Sequence, residues 1–398
     1  MVIGIDASRA NEREKTGTEW YSWHLLRVLV PLLGEHRVRL YTREPLEPIL
    51  RQLGPPVEER VLRWPPGVLW SHLRLSWELL WSPPDVLLIT ADTVPLIHPR
   101  RTYTTIHDVA FERFPALYAQ HSVQRRLGWL RPVIHLAVRI VTLGRYSASE
   151  LDYHRWSVRH ALRASRKILT VSEFTKSELV SLLGAGPEQV VVTSQGVSQP
   201  ASFVTVDEHQ IQTILARLGL SRPYFLFLGR LEAKKNIELL VHGYVEYRRQ
   251  AARPVNLVLV GNPGQGWAGV GAWLHQAKRR QGIYQLGWQS PNDLRVLQKG
   301  ASGFVFLSQY EGFGRPPLES LSARVPVLAS RTAALPEVLG SCALYVDQLD
   351  PSHVARGLAR LAEDEPLRAS LVRCGLQRVQ QFTWEETARR TVAVLLSA

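Results

Sequence analysis

The chain is 398 residues long, 45% hydrophobic and 21% charged, proportions of a folded globular protein rather than a disordered or fibrous one. That length exceeds what one ordinary core covers, so two domains are expected. A formal net charge of +13 points to an anionic partner (nucleic acid, anionic lipid or a phosphorylated substrate) without choosing among them.

The N-terminus, "MVIGID", enters a strand at once, without the basic, apolar and cleavage regions of a secretory signal. Short apolar runs then alternate with helical patterns. The first set of expected strands is Val2–Asp6, Val38–Thr42, Val86–Thr90, Tyr103–His107, Ile168–Val171 and Val190–Thr193. Periodicity fails over 199–222, read as a linker. It restarts with Tyr224–Leu228, Asn256–Val260, Tyr284–Leu286, Gly303–Leu307, Val325–Ala329 and Ala343–Val346. Runs such as "NLVLVG" and "GFVFLS" are continuously apolar, as parallel strands covered by helices on both faces are. This alternation builds a doubly wound α/β sheet, and its two sets predict Rossmann-like domains at 1–198 and 223–382, followed by a helical segment at 383–398. The longest membrane-like run, Val133 to Gly144, is broken by His135 and Arg139, so no span is expected. Cys342 and Cys374 are expected as packed thiols. Two cysteines and no signal fit the cytoplasm.

Ligands of open α/β sheets sit beyond the carboxyl ends of the strands. The site candidates are therefore the unusual residues that follow strands: Gly17 and Thr18, His107 and Asp108, Arg230, and Glu311. "GRLEAKKN" places Arg230 and Lys235 around a strand-to-helix turn. Unpaired N–H groups and the positive end of the helix dipole gather there. With two cations added, the turn reads as a diphosphate site or as a solvated basic turn. "YEGFGRPPLES" supplies the complement. Gly312 and Gly314 let backbone N–H groups approach a ligand closely. Pro316 and Pro317 open a helix without losing a needed donor. Glu311 and Glu319 offer carboxylates to the vicinal hydroxyls of ribose or hexose.

Together with "TGTEWYSWHLL", "TIHDVAFERFP", "ILTVSEFTKSEL", "LVGNPG", "LPEVLGSCALYVD" and "FTWEETARRTVAVLLSA", these motifs resemble the GT-B glycosyltransferases of the family 4 type, especially bacterial mannosyltransferase-like members. The resemblance covers nearly the whole chain. It implies two Rossmann-like domains facing a central cleft, with the last helix crossing back to the N-terminal domain. The activity it implies is retaining transfer of a hexose, mannose first, from a nucleotide-diphosphate sugar. The implied acceptor is a glycan or lipid-linked sugar of surface polysaccharide or glycolipid synthesis. By the same resemblance, Arg230 and Lys235 neutralise the donor diphosphate and Gly17 lies beside the phosphates. Glu311 lies at the donor sugar with the backbone of Phe313 and Gly314, Glu319 holds the ribose, and His107, next to Asp108, lies near the transferred sugar. Arg315 departs from the pattern, many relatives carrying leucine there, and is expected in solvent or behind the site. GDP-mannose is the favoured donor, with UDP-glucose or another UDP-sugar as the alternative. The sequence has no Asp-x-Asp. Arg230 and Lys235 are therefore expected to stabilise the leaving diphosphate, and no metal or other cofactor is expected.

Two further stretches have two readings each. Trp70, Trp77 and Trp81 recur at helical spacing, which predicts a core-facing stripe; an exposed fraction would suit an acceptor. Residues 122–167 interleave arginines with apolar residues, either as a surface helix packed on the first domain or as an interfacial segment on an anionic membrane. Nucleic acid is not expected, because no zinc spacing, helix-turn-helix or RNA-binding signature is present. The competing classes are a non-catalytic anion- or membrane-binding protein on the same scaffold and another GT-B chemistry, an epimerase or a phosphorylase. A phosphorylase needs one phosphate, which the paired cations argue against.

Overall fold

The structure is a computed structural model. It describes all residues except 55–56, 65–68, 120–148, 198, 200–202, 204–205, 265, 268–270, 272–273, 275–281 and 398. The chain divides into two compact units, Met1–Gly196 with Trp384–Ala398, and Val197–Thr383.

Among the described residues, the first unit holds a seven-stranded sheet. Its strands are β1 (Val2–Asp6), β2 (Arg37–Thr42), β3 (Val57–Val61), β4 (Val86–Ile89), β5 (Thr102–Ile106), β6 (Lys167–Thr170) and β7 (Val190–Val192). Their order is β3-β2-β1-β4-β5-β6-β7, every pair parallel. The second unit holds β8 (Tyr224–Leu228), β9 (Asn256–Val260), β10 (Ile283–Leu286), β11 (Gly303–Phe306), β12 (Val327–Ser330) and β13 (Leu344–Val346). These are again all parallel, in the order β10-β9-β8-β11-β12-β13. In each unit the second and third strands lie on one side of the first, and the fourth onward lie on the other. Strand order therefore reverses between β1 and β4 and between β8 and β11. These switch points are where open α/β sheets bind ligands. All residues of β4, β5, β8 and β11 are buried, as parallel strands covered on both faces require.

The last helix, Trp384–Leu396, belongs to the first unit. It packs on the helix Gly17–Leu32 through Trp384, which stacks on His24 at 5.0 Å and meets Tyr21 edge-on. Thr387 donates to the Ser194 carbonyl at 2.7 Å. Within the stretch 199–222, Glu208–Arg217 forms a helix with an Asp207/Gln210 capping box, and Ile211 and Leu215 are buried.

The structure corrects two expectations. The tryptophans do not form one buried stripe: Trp70 is buried, whereas Trp77 and Trp81 are exposed. The cause is local geometry. Trp70–Leu75 is π-helical and runs directly into the α-helix Ser76–Trp81. Each extra residue drawn into a wide turn rotates the following face by about 100°, so a count at α-helical period mis-assigns what comes after. The cysteines are not separate thiols, because Cys342 and Cys374 form a disulfide. The cysteine argument for compartment lapses with them. Of the basic stretch 122–167, residues 122–148 lie outside the described residues. The helix Glu150–Ala164 packs Ser157, Val158 and Ala161 inward, and its Arg155 pairs with Glu112 at 2.8 Å.

Candidate functional site

In the second unit, the chain leaves β8 through Gly229 and leaves β9 through Gly261. Gly261 has φ +139°, and a Cβ there would lie 2.0 Å from the Gly229 carbonyl oxygen. Only glycine lets the two loops approach so closely. Leu231 then donates to the Asn262 carbonyl and Gly264 to Leu231. This double tie fixes the turn that carries Arg230 and Lys235. Arg230 is exposed, whereas Lys235 is largely covered.

The loop after β11 crosses to this turn. Gln309 donates to the Lys234 carbonyl at 2.9 Å, and Lys235 Nζ pairs with Glu311 Oε1. Ser308 Oγ donates to the same carboxylate oxygen at 2.5 Å. Lys235 also lies over the Phe306 ring, 5.2 Å from its centroid. A cation from the β8 side and a carboxylate from the β11 side thus meet at the switch point.

Beyond Glu311, Phe313 is buried against Phe382, with ring centroids 5.5 Å apart. Gly314 has φ +94°, and a Cβ there would meet Leu335 at 2.5 Å. This left-handed glycine opens the helix Arg315–Ser322, whose first turn contains Pro316 and Pro317. Glu319 lies one turn in, with Arg315 Nε 3.5 Å from its Oε1. Burial pushes the Glu319 carboxyl above its ordinary value, and Arg315 offsets part of that rise. Arg315 is therefore not simply in solvent; it sits against the carboxylate read as the ribose ligand.

In the first unit, His107 follows β5 and places Nε2 3.1 Å from the Thr90 carbonyl, at the end of β4. A carbonyl only accepts, so Nε2 carries the proton and a neutral ring presents Nδ1 as an acceptor. Burial lowers the His107 pKa against the raising influence of Thr90 and Asp108, which favours that neutral form. Tyr21 meets the ring edge-on at 4.6 Å. Asp108 accepts from the Ala110 backbone N–H at 3.0 Å, turning the chain into the next short helix. Gly17 begins the helix Gly17–Leu32, capped by Thr16 and Glu19. A Cβ on Gly17 would meet nothing within 4 Å, so no packing explains glycine there.

Around the β1/β4 switch point the structure adds residues that sequence reading missed. Arg9, after β1, pairs with Glu19 at 3.2 Å. Asp92, after β4, faces His154 of the helix Glu150–Ala164 at 3.9 Å, and His154 is 3.8 Å from Glu150. Burial opposes charge on His154, yet the two carboxylates outweigh it and lift the imidazole to about 9. Burial likewise opposes charge on Asp92, but His154 and Arg9 hold it below the usual carboxylate range. Asp92 ends no recognisable motif. Its one sequence signal was its place just after an apolar strand.

Residues 212–378, which contain all of the second-unit candidates, match the family model described as glycosyl transferases group 1. Over the whole chain the fold matches solved structures of that architecture. HepE of Anabaena, in complex with UDP and glucose, aligns with a TM-score of 0.69 and 16% identity, covering 100% of this chain and 99% of that one. WaaG, a glycosyltransferase involved in lipopolysaccharide biosynthesis, aligns with a TM-score of 0.70 and 12% identity, covering 100% of each chain. The chain is a glycosyltransferase of GT-B fold whose second unit carries the match to this family. Among curated relatives, the glycosyltransferase is 28% identical to O-antigen chain mannosyltransferase B of Escherichia coli over 303 residues, 75% of this chain and 77% of the relative. It spans only 28% of the length of another relative, the serotype-specific mannosyltransferase WbdA of the same organism, at 26% identity over 56% of this chain. The donor preference needs correcting. The solved HepE structures hold UDP or UDP-glucose, not GDP-mannose, so GDP-mannose does not stand as the favoured donor. Among the described residues, no group of three or more His, Cys, Asp or Glu side chains is arranged to hold a metal.

Proposed function

We propose that this glycosyltransferase moves a hexosyl group, with retention of anomeric configuration, from a nucleoside diphosphate sugar to a glycan or lipid-linked acceptor of a surface polysaccharide or glycolipid. The observation that carries the reading is the Lys235–Glu311 pair at the β8/β11 switch point, beside the exposed Arg230 and the opening turn of the helix Arg315–Ser322. Breaking a sugar–phosphate bond builds negative charge on the leaving diphosphate. Fixed cations stabilise that charge most in the transition state. Arg230 and Lys235 take this role, Glu311 the donor sugar with the Phe313–Gly314 backbone, and Glu319 the ribose hydroxyls. Gly17 leaves its helix start open to phosphate. His107, neutral with Nδ1 bare, accepts a hydroxyl of the transferred sugar.

The O-antigen mannosyltransferase relative supports mannose as the hexose, and the UDP-glucose complex of HepE supports glucose as the second candidate and uridine as the first base to test. A panel of UDP-hexoses, with other nucleotide sugars as the comparison arm, is scored by acceptor-dependent nucleotide release and by thermal shift. A ligand at about a hundredfold over its Kd stabilises by about 2.7 kcal/mol, which a melting curve resolves. Stabilisation by one nucleotide sugar, and release that needs an acceptor, is the expected result. A protein that no nucleotide sugar stabilises is not acting through this site.

A further inference from the structure

The helical segment at Trp70–Trp81 has one face in the core and one with no internal use. Trp70, Leu75 and Leu79 join Tyr41, Leu87 and Ile89 in a buried cluster. The opposite face carries Leu73, Trp77, Leu80 and Trp81, and the tryptophans are 61% and 73% exposed. Their rings meet edge-on, 6.1 Å between centroids. A second loop extends the patch. Ile97 donates its backbone N–H to Ser76 Oγ at 3.1 Å, and Leu96 donates to the His72 carbonyl at 3.5 Å. Both side chains are exposed. Six large apolar residues from two segments thus form one outward patch, the kind that marks an interaction surface rather than ordinary scatter.

The chemistry around it favours one occupant. Glu78, the only acid in residues 69–81, is held by Arg74 at 3.5 Å and lies 3.9 Å from Arg60. The adjoining residues 93–101 contain Arg100 and Arg101 and no acid. Paired tryptophans with leucines on a short helix, rimmed by arginine and free of unpaired acid, suit the boundary between lipid headgroups and acyl chains. There indoles partition and cations meet phosphate. Among the described residues no helix is long and apolar enough to cross a bilayer, so the contact would be one-sided.

We propose that this face, Leu73, Trp77, Leu80 and Trp81 with Leu96 and Ile97, docks the first unit on an anionic membrane surface. The test sediments the full chain with vesicles of phosphatidylcholine alone, and of phosphatidylcholine with phosphatidylglycerol, at low and high salt. Wild type is expected to pellet with the anionic vesicles at low salt and to detach as salt rises. Its tryptophan emission is expected to be quenched by brominated acyl chains. Trp77→Ala with Trp81→Ala should weaken the partition by about tenfold or more, with an unchanged melting curve because both side chains are already exposed. Trp77→Phe with Trp81→Phe should keep most binding and lose much of the quenching. Wild type left in the supernatant at low salt overturns the proposal, as does binding that survives the alanine pair. A wild-type dimer by light scattering that the alanine pair converts to monomer, without vesicle binding, would assign the face to a second copy instead and also overturns it.

Discussion

Lys235 and Glu311 come from opposite sides of a strand-order reversal, one after β8 and one after β11, and they form a closed ion pair. Under the proposed function, a donor diphosphate entering here would compete with Glu311 for Lys235. Lys235→Ala and Arg230→Ala should each lower kcat/KM by about tenfold to a thousandfold, the scale of one lost transition-state donor. Glu311→Gln should behave differently. It frees Lys235 for phosphate, so UDP affinity is maintained or rises while turnover falls. Initial rates with isothermal titration of UDP separate the two. Wild-type turnover in both cation variants would remove the diphosphate assignment.

The Arg315–Glu319 pair gives a pH signature. In the proposed ribose role Glu319 must be ionised to accept two hydroxyls, and burial already holds its pKa above the ordinary value despite Arg315. Nucleotide affinity should therefore weaken as pH falls through that raised pKa. Arg315→Leu removes the one influence that lowers it, so the acid limb should move to higher pH. Glu319→Gln should bind more weakly at neutral pH and show no such limb. Calorimetric affinities at several pH values decide it; equal binding by wild type and Glu319→Gln would exclude the ribose role.

Much of this was legible in the sequence because the chemistry lies on continuous segments. "GRLEAKKN" and "YEGFGRPPLES" each follow a fully apolar strand, so position and residue type could be read together. What was missed has physical causes. The strand β3, "VEERV", is an edge strand, and its Glu58, Glu59 and Arg60 hide the apolar run that exposes central strands. Trp77 and Trp81 were placed inward because a count at α-helical period cannot see the π-helical turn before them. Asp92 and His154 are distant in sequence, and only the order β1-β4-β5 and the helix Glu150–Ala164 bring them together. The disulfide was invisible for a related reason: Cys374 lies on the helix Glu365–Val379, and nothing local points it at Cys342.

That disulfide spans a sequence separation of 32 residues. By the loop-closure account, crosslinking a loop of this size stabilises by about 3–4 kcal/mol. Cys342→Ala with Cys374→Ala, or full reduction, should lower the melting temperature of the second unit by several degrees. UDP binding should be little changed, because neither cysteine belongs to the proposed site. A melting curve with and without reductant checks this. Identical curves, with free thiols counted by alkylation in both samples, would mean the bond contributes nothing to stability.

His154 supplies a stability change at the other end of the pH scale. Its imidazole is lifted from the ordinary histidine value of 6.5 to about 9 in the fold by Asp92 and Glu150, against the cost of burial. The folded pKa lies above the unfolded one, so the protonated pair contributes its full stability below about pH 6.5. That contribution is lost progressively as pH rises through about 9. Wild type should therefore melt at lower temperature at pH 9.5 than at pH 6, beyond the trend common to its variants. His154→Gln should flatten this difference and melt lower than wild type at pH 6. Asp92→Asn should flatten it too, because it removes the main partner of the charge. Imidazole carbon chemical shifts measured across the same range give the pKa directly. A His154 that titrates near 6.5 in the folded protein, or a variant with the same pH slope as wild type, would show that the Asp92–His154 pair carries no charge interaction of consequence.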